Sequence, residues 1–219
     1  MKEIPAADGT DDEGSPRSWL PGITLLILLV TLCVHLWTES IRPESSVAFL
    51  EEVQSESTRT YYAFFQRFSI TRGNPLGLVS AWALHGDWVH WGLNAFQLFL
   101  YGGLYERERG HGPVTLVFFA GHFAGSLMHL AFGSAGPAIG MSAGTWALTG
   151  AVLVDSVRRD LSTPQAALRV GLAALAAVMW FGFDAPDLLP PAHLGGIVMG
   201  GGIAVLAILV RRRGRARVS

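Results

Sequence analysis

Long apolar runs alternate with short polar joints along the chain, and the lengths of the runs carry the first inference. Predominantly apolar stretches cover residues 20–37, 78–104, 114–133, 141–157, 166–183 and 192–210. Most of them reach the ~20 residues a helix needs to cross ~30 Å of hydrocarbon. The pattern predicts an all-α membrane protein, with a six-transmembrane-helix bundle forming one domain over residues 19–210. Residues 1–18 carry Asp8, Asp11, Asp12, Glu13, Gly14 and Pro16 and predict a disordered tail, while 211–219 form a basic tail.

Trp19 and Trp37 bracket the first run ~27 Å apart along a helix, which suits two interfacial belts. No small-residue cleavage site follows it and an acidic segment precedes it, so it reads as a retained anchor and not as a signal peptide. In the long joint from 39 to about 77, Tyr61, Tyr62, Phe64, Phe65 and Phe68 recur at helical spacing beside Arg67 and Arg72. Such a segment either lies in the outer interface or packs on the bundle. From Ala131 to Gly140 there is no charge, which fits a loop dipping inward under protein cover.

Composition sharpens this picture in two places. Half of the residues are apolar and 15% charged, and the charges gather in tails and joints, a pattern that excludes an ordinary soluble domain. Of 16 basic residues, only Arg42, Arg59, Arg67 and Arg72 fall on one side if the helices alternate. The positive-inside rule then predicts both termini in the cytoplasm of a cell-membrane protein. The arginines after run six read as a lipid-headgroup anchor, so the bilayer is an expected partner and nucleic acid is not. The single cysteine, Cys33, excludes an internal disulfide and a multi-cysteine metal cluster.

Polar residues inside apolar runs are the candidate chemistry, because hydrocarbon penalises them. Run two carries His85, Asp87, His90, Asn94 and Gln97, with His90 and Asn94 four apart on one helix face. Run three carries His122 and His129, each of which reads as a satisfied buried histidine. Run four opens at Ser142 after a Gly-, Ala- and Pro-containing loop, and run six opens at His193. In run six His193, Gly196, Gly200, Ala204 and Ala207 form a stripe of small residues below the histidine, and run four offers Gly144 and Gly150. Small residues let two backbones approach closely.

A serine hydroxyl is a poor nucleophile until a base removes its proton, and His193 is the best-placed base. The helix start at Ser142 favours developing negative charge, and His90 and Asn94 are candidate oxyanion donors. A third triad member is hard to find. Asp155 lies ~20 Å down the helix from Ser142, Asp87 sits above His90, and Asp184 and Asp187 belong to the joint before run six. The pattern favours a Ser–His dyad that needs no metal or cofactor.

These residues carry a resemblance. His85, His90-Trp91-Gly92-Leu93-Asn94, Gly102-Gly103-Leu104-Tyr105-Glu106 with Gly110, Gly140-Met141-Ser142, and Ala192-His193 with Gly196 and Gly200 occur in the order found in rhomboid intramembrane serine proteases, over about residues 78 to 205. The resemblance implies a six-helix core, cleavage of transmembrane protein substrates, Ser142 as nucleophile, His193 as base, and His90 and Asn94 as oxyanion donors. It further implies substrate entry beside run five, near Trp180 and Phe181. Two departures stand out: Ala143 replaces the glycine usual after the serine, and Leu76-Gly77 replaces a Trp-Arg pair in the first loop.

Three rivals are weighed. Gly140-Met-Ser142-Ala-Gly144 fits the G-x-S-x-G elbow of α/β-hydrolases, but no strand precedes the serine in this pattern. A rhomboid-like protein that binds transmembrane helices without cutting them is compatible with Ala143. A metal or haem protein using His85, His90, His122, His129 and His193 lacks an H-E-x-x-H motif and leaves Ser142 and Asn94 unexplained.

Overall fold

Nine α-helices occur among the described residues of the computed structural model, which are 20–43, 56–133, 136–158, 163–184 and 190–215. The expected tail over 1–18, Trp19, Asp187 and residues 216–219 lie outside them. The elements are α1 (Gly22–Ser40), α2 (Glu56–Phe68), α3 (Gly77–Ser80), a 3-10 turn (Ala81–Ala83) and α4 (Trp88–Gln97). A π turn (Leu98–Gly102), α5 (Gly103–Arg109), α6 (His111–Phe132), α7 (Ser142–Arg158), α8 (Pro164–Asp184) and α9 (Pro191–Arg215) follow. No strand forms among the described residues, and the pairing of Ile70 with Ala138 is an isolated bridge.

Among the described residues three helices, Gly22–Ser40, His111–Phe132 and Pro191–Arg211, have the unbroken length and apolarity to cross a membrane, and the described side chains of α8 add the apolar stretch Pro164–Val178. The expectation of six spans is therefore met only in part, for two physical reasons. The run from 78 to 104 is not one helix: it restarts at Trp88, where Asp87 is the N-cap and its Oδ1 accepts from the His90 backbone N–H at 2.8 Å. His85 and Asp87 thus precede the helix that was expected to contain them. The run at 141–157 becomes α7, buried almost all round from Ser142 to Val152. A helix shielded by its neighbours has no need of an apolar surface.

The outer helices are turned inside out relative to a soluble bundle. On α1, Thr24, Ile27, Thr31, His35 and Thr38 are buried at spacings of three and four, while Leu25, Leu26, Leu29 and Leu36 are exposed. The same holds on α6, where His122 and Ser126 face inward and Leu116, Phe119, Phe123 and Leu127 outward. A face of leucine and phenylalanine turned outward matches hydrocarbon, not water.

The core is α6, α7 and α9, which pack most extensively on one another. Glycines set their spacing: a Cβ on Gly121 would lie 2.1 Å from the Ala147 methyl, and one on Gly144 would lie 2.7 Å from the Phe118 ring. The small-residue stripe of α9 behaves as expected through Ala204, but Ala207 is exposed. There α9 leaves α7, and Ala207 lines a cavity together with Arg109, Asp155 and Arg211.

The joint after run two is a structural anchor. Glu106, buried at 3% exposure, accepts from the backbone N–H groups of Ile23 and Thr24, each at 2.8 Å, and from the Thr24 hydroxyl at 2.7 Å. It also pairs with His111 Nδ1. These are donors that the start of α1 would otherwise leave unsatisfied, and a carboxylate complements the positive end of the helix. Gly102 lets α1 come this near, since a Cβ there would sit 3.0 Å from Thr24 Oγ1. Arg109 closes the same end of the bundle by donating from Nε to Asp155 Oδ2 at 3.0 Å.

The aromatic joint at 56–68 forms a helix that packs on the bundle, with Phe64 edge-on to Trp37 at 4.5 Å between ring centroids. The expected protein cover over the uncharged loop before Ser142 is met only at its end: Gly136 and Pro137 are exposed, while Gly140 is buried, with Ile70 and Ala138 exchanging backbone hydrogen bonds and Gly140 N–H donating to the Ala81 carbonyl at 2.9 Å.

Burial alone would raise the Glu106 pKa, but the hydrogen bonds from Thr24, Ile23 and His111 outweigh it and hold the carboxyl below its usual range. Its stabilising contribution is present above the ordinary carboxylate pKa of ~4.3 and disappears as pH falls through the lower folded value. Glu106→Gln is expected to destabilise the protein by ~2 kcal/mol near neutral pH, the scale of losing charge-assisted hydrogen bonds. Thermal unfolding in detergent should show this deficit narrowing toward acid pH, and a pH-independent deficit would contradict it.

Candidate active site

Ser142 is the first residue of α7, and its placement follows from the loop that delivers it. Gly140 has φ +109°, a left-handed conformation that side chains rarely adopt. A Cβ there would also meet His90 Nε2 at 2.8 Å, His90 Cε1 at 3.0 Å and Asn94 Nδ2 at 3.9 Å. The imidazole of His90 and the amide of Asn94 therefore lie against the backbone two residues before Ser142. Both ride on α4, one turn apart, as their spacing predicted. Asn94 is fully buried, and its Nδ2 donates to the His90 carbonyl at 2.9 Å, leaving a second N–H on the same nitrogen.

His193 is the third residue of α9, and the register of α7 against α9 sets its height. A Cβ on Gly196 would lie 2.2 Å from the Ala143 carbonyl oxygen, and one on Gly200 would lie 1.9 Å from that of Ala147. Numbers rise together along both helices, so α7 and α9 run parallel and begin at the same end. His193 is one turn above Gly196 on the same face. Its ring lies 5.9 Å from that of Trp146, tilted by 33°. Trp146 is four residues after Ser142 and shares its helix face. Ser142 and His193 consequently stand at the same end of the parallel pair of helices, each 7% exposed.

Trp146 was not singled out by the sequence reading. The available signal was its position, one turn below the serine on the same face. Gln97 was noted only as a polar residue. It proves to be the hub of a buried network under the site, donating from Nε2 to Thr149 Oγ1 at 3.1 Å and accepting at Oε1 from the Thr145 hydroxyl at 3.3 Å. Thr145 Oγ1 also lies 2.8 Å from the Ser142 carbonyl oxygen. This network ties α4 to α7 directly below the serine.

The substituted position Ala143 is accommodated by α6. A Cβ added to Gly125 would lie 2.5 Å from the Ala143 methyl, so the methyl occupies the notch that Gly125 leaves. Thr145, which reaches Gln97 on α4, is two residues further on and therefore on nearly the opposite side of α7, ~200° around. The Ala143 methyl points away from the α4 side, where His90 and Asn94 lie.

The carboxylates weighed from sequence are differently engaged. Asp87 caps α4 and Asp155 is paired with Arg109 at the far end of α7. The side chain of Asp184, and those of Trp180 and Phe181, lie outside the described residues. His85 is buried beside His90, with ring centroids 5.1 Å apart, and His35 follows 6.3 Å beyond His85. Among the described residues no three His, Cys, Asp or Glu side chains gather to hold a metal ion. His122 is buried in α6, and His129 Nε2 lies 3.1 Å from the Gly136 carbonyl oxygen.

A matched pair of substitutions tests the α7–α9 register. Gly200→Val places its side chain on the Ala147 carbonyl, whereas Gly202→Val meets nothing within 4 Å. Thermal unfolding should show a loss of ~1–3 kcal/mol for the first, the scale of overpacking, and little change for the second. Equal effects would mean that the two helices meet differently.

Comparison with known proteins agrees with this arrangement. The chain matches the rhomboid domain family over residues 72–212. It is 30% identical over 139 residues to human rhomboid-related protein 3, a match covering 57% of this chain. The aligned part spans only 34% of that relative's length. With well over half of its residues inside the matching domain, an all-helical core and outward-facing apolar helices, the chain belongs to the rhomboid family.

Proposed function

We propose that the protein is an intramembrane serine protease that hydrolyses peptide bonds of transmembrane protein substrates through a Ser142–His193 dyad. The observation that carries this reading is the parallel packing of α7 on α9, which begins both helices, one with a hydroxyl and the other with an imidazole, at the same end. In the reaction, Ser142 Oγ attacks the scissile carbonyl carbon while His193 accepts the hydroxyl proton. The resulting oxyanion receives hydrogen bonds from the Asn94 amide and the His90 imidazole, each donor being worth ~3 kcal/mol in the transition state. His193 passes the proton to the leaving amine as the C–N bond breaks. Water, activated by the same imidazole, then hydrolyses the acyl-enzyme and restores Ser142.

Trp146 takes the orienting part that a carboxylate plays in a triad. Its indole lies against the His193 ring and restricts its tilt, while the Gln97–Thr145–Thr149 network fixes the α7 backbone beneath the nucleophile. The packed surroundings of both groups support a dyad working without metal or cofactor. In the bilayer the chain is read as six spans with both ends cytoplasmic. The arginine-rich end holding Arg107, Arg109 and Arg211 then lies inside, and Ser142 opens toward the outer leaflet.

A non-cleaving rhomboid-like protein that holds transmembrane helices is the alternative reading, and Ala143 is the residue that raises it. The seat of its methyl against Gly125 favours the protease. The test is a panel of single-span substrates in liposomes, with wild type expected to cleave and Ser142→Ala to be inactive at equal expression. Labelling of Ser142 by a fluorophosphonate should parallel cleavage. An unlabelled, inactive but folded wild-type protein would select the binder.

Trp146→Ala is expected to lower kcat by about 10-fold to 100-fold with KM little changed, the signature of an interaction realised in the transition state. Trp146→Phe should recover most of that loss. A change confined to KM would place Trp146 in substrate binding instead.

A further inference from the structure

At the end of the bundle opposite Ser142, the π turn, α5 and α8 surround a cavity of about 390 Å³. Its volume falls in the range of sites for small ligands, ~300–1,000 Å³. The walls are apolar, with Phe99 and Leu104 facing Leu168 and Leu172. Phe99 is 55% and Leu168 63% exposed, so the cavity opens sideways onto the outward apolar surface and not into the core.

Two arginines stand at its charged rim, Arg107 and Arg169. Arg169 is held in place: Nη2 donates to Glu108 Oε1 at 2.6 Å, and its backbone carbonyl accepts from the Tyr101 hydroxyl at 3.0 Å. Arg107 is exposed and has no hydrogen bond or ion pair among the described residues. The neighbouring Glu106 is turned inward, engaged by the start of α1. Among the described residues the rim therefore offers a guanidinium without a carboxylate partner, a group that forms bidentate pairs with phosphate.

A cation at the polar rim of an apolar slot that opens sideways is complementary to one class of molecule, an anionic head joined to a hydrocarbon tail. We propose that this cavity binds an anionic phospholipid, its phosphate paired with Arg107 and an acyl chain lying between Phe99 and Leu104 on one wall and Leu168 and Leu172 on the other. The lipid bridges α5 to α8, which packs less extensively on the bundle than α6, α7 and α9 pack on one another. Anionic lipid thereby fastens α8 at this end. The proposal stands on the cavity and its rim and does not depend on the proteolytic reading.

Native mass spectrometry of the detergent-purified protein, offered phosphatidylglycerol and phosphatidylcholine with identical chains, tests it. Wild type is expected to retain phosphatidylglycerol preferentially. Arg107→Gln should lower that retention about five-fold, the equivalent of ~1 kcal/mol for one basic residue near anionic lipid. Arg72→Gln, at the Ser142 end, should leave it unchanged, and Leu172→Trp should lower it by filling the slot. Each variant is first matched to wild type in thermal unfolding. Equal retention of the two lipids, equal effects of Arg107→Gln and Arg72→Gln, or displacement by free glycerol phosphate would overturn the proposal. So would full retention by Leu172→Trp, or displacement of the lipid by a single-span peptide.

Discussion

The arrangement depends on how closely the backbones of α7 and α9 approach. In hydrocarbon, burying apolar surface between helices gains little, because lipid tails are as apolar as the side chains they replace. Association must come from close packing and from polar contacts that lipid cannot provide. Gly196 and Gly200 admit the carbonyls of Ala143 and Ala147, and Gly150 admits the Ile197 carbonyl, since a Cβ there would lie 2.5 Å from it. That contact fixes direction, register and depth together. Ser142 and His193 inherit their relative height from it.

Around this contact the polar side chains act as joints. Glu106 ties α5 to the first turn of α1, Gln97 ties α4 to α7, and Arg109 reaches Asp155 from α5 to the last turns of α7. Each joins segments distant in sequence, Glu106 and Arg109 at one end of the bundle and Gln97 nearer Ser142. Hydrogen bonds between membrane helices are individually modest, ~0.6–2 kcal/mol, so their value here lies in where they hold the helices. The threonines and histidine along the inner face of α1 follow the same logic, with the leucines left to meet the surroundings.

Much of this was legible in the residues. Run lengths gave the helical class, the four-residue spacing gave the shared face of His90 and Asn94, and the small-residue stripe gave the face of α9 that meets α7. The failures have physical causes. The run at 78–104 reads as one helix because apolarity does not register that Asp87 ends a loop by accepting the His90 N–H. α7 falls short of the length rule because that rule assumes contact with lipid, which this inner helix largely lacks, and α4 falls short because it starts only at Trp88 and gives way to the π turn after Gln97. Trp146 went unnoticed because an aromatic residue in an apolar helix has no distinguishing pattern until its partner is in place. Ala207 was expected inside because small size permits packing but does not compel it.

The π turn at Leu98–Gly102 has a consequence for how such a molecule can change over time. Accommodating an extra residue in a helix rotates everything beyond it by ~100° relative to what precedes it. Asn94 and Gln97, upstream, address α7; Tyr105 and Glu106, downstream, address the opposite end and α1. The widened turn uncouples these two orientations, so that the half-helix beside the Ser142 loop and the half-helix anchoring the fold can each drift in sequence without dragging the other out of alignment.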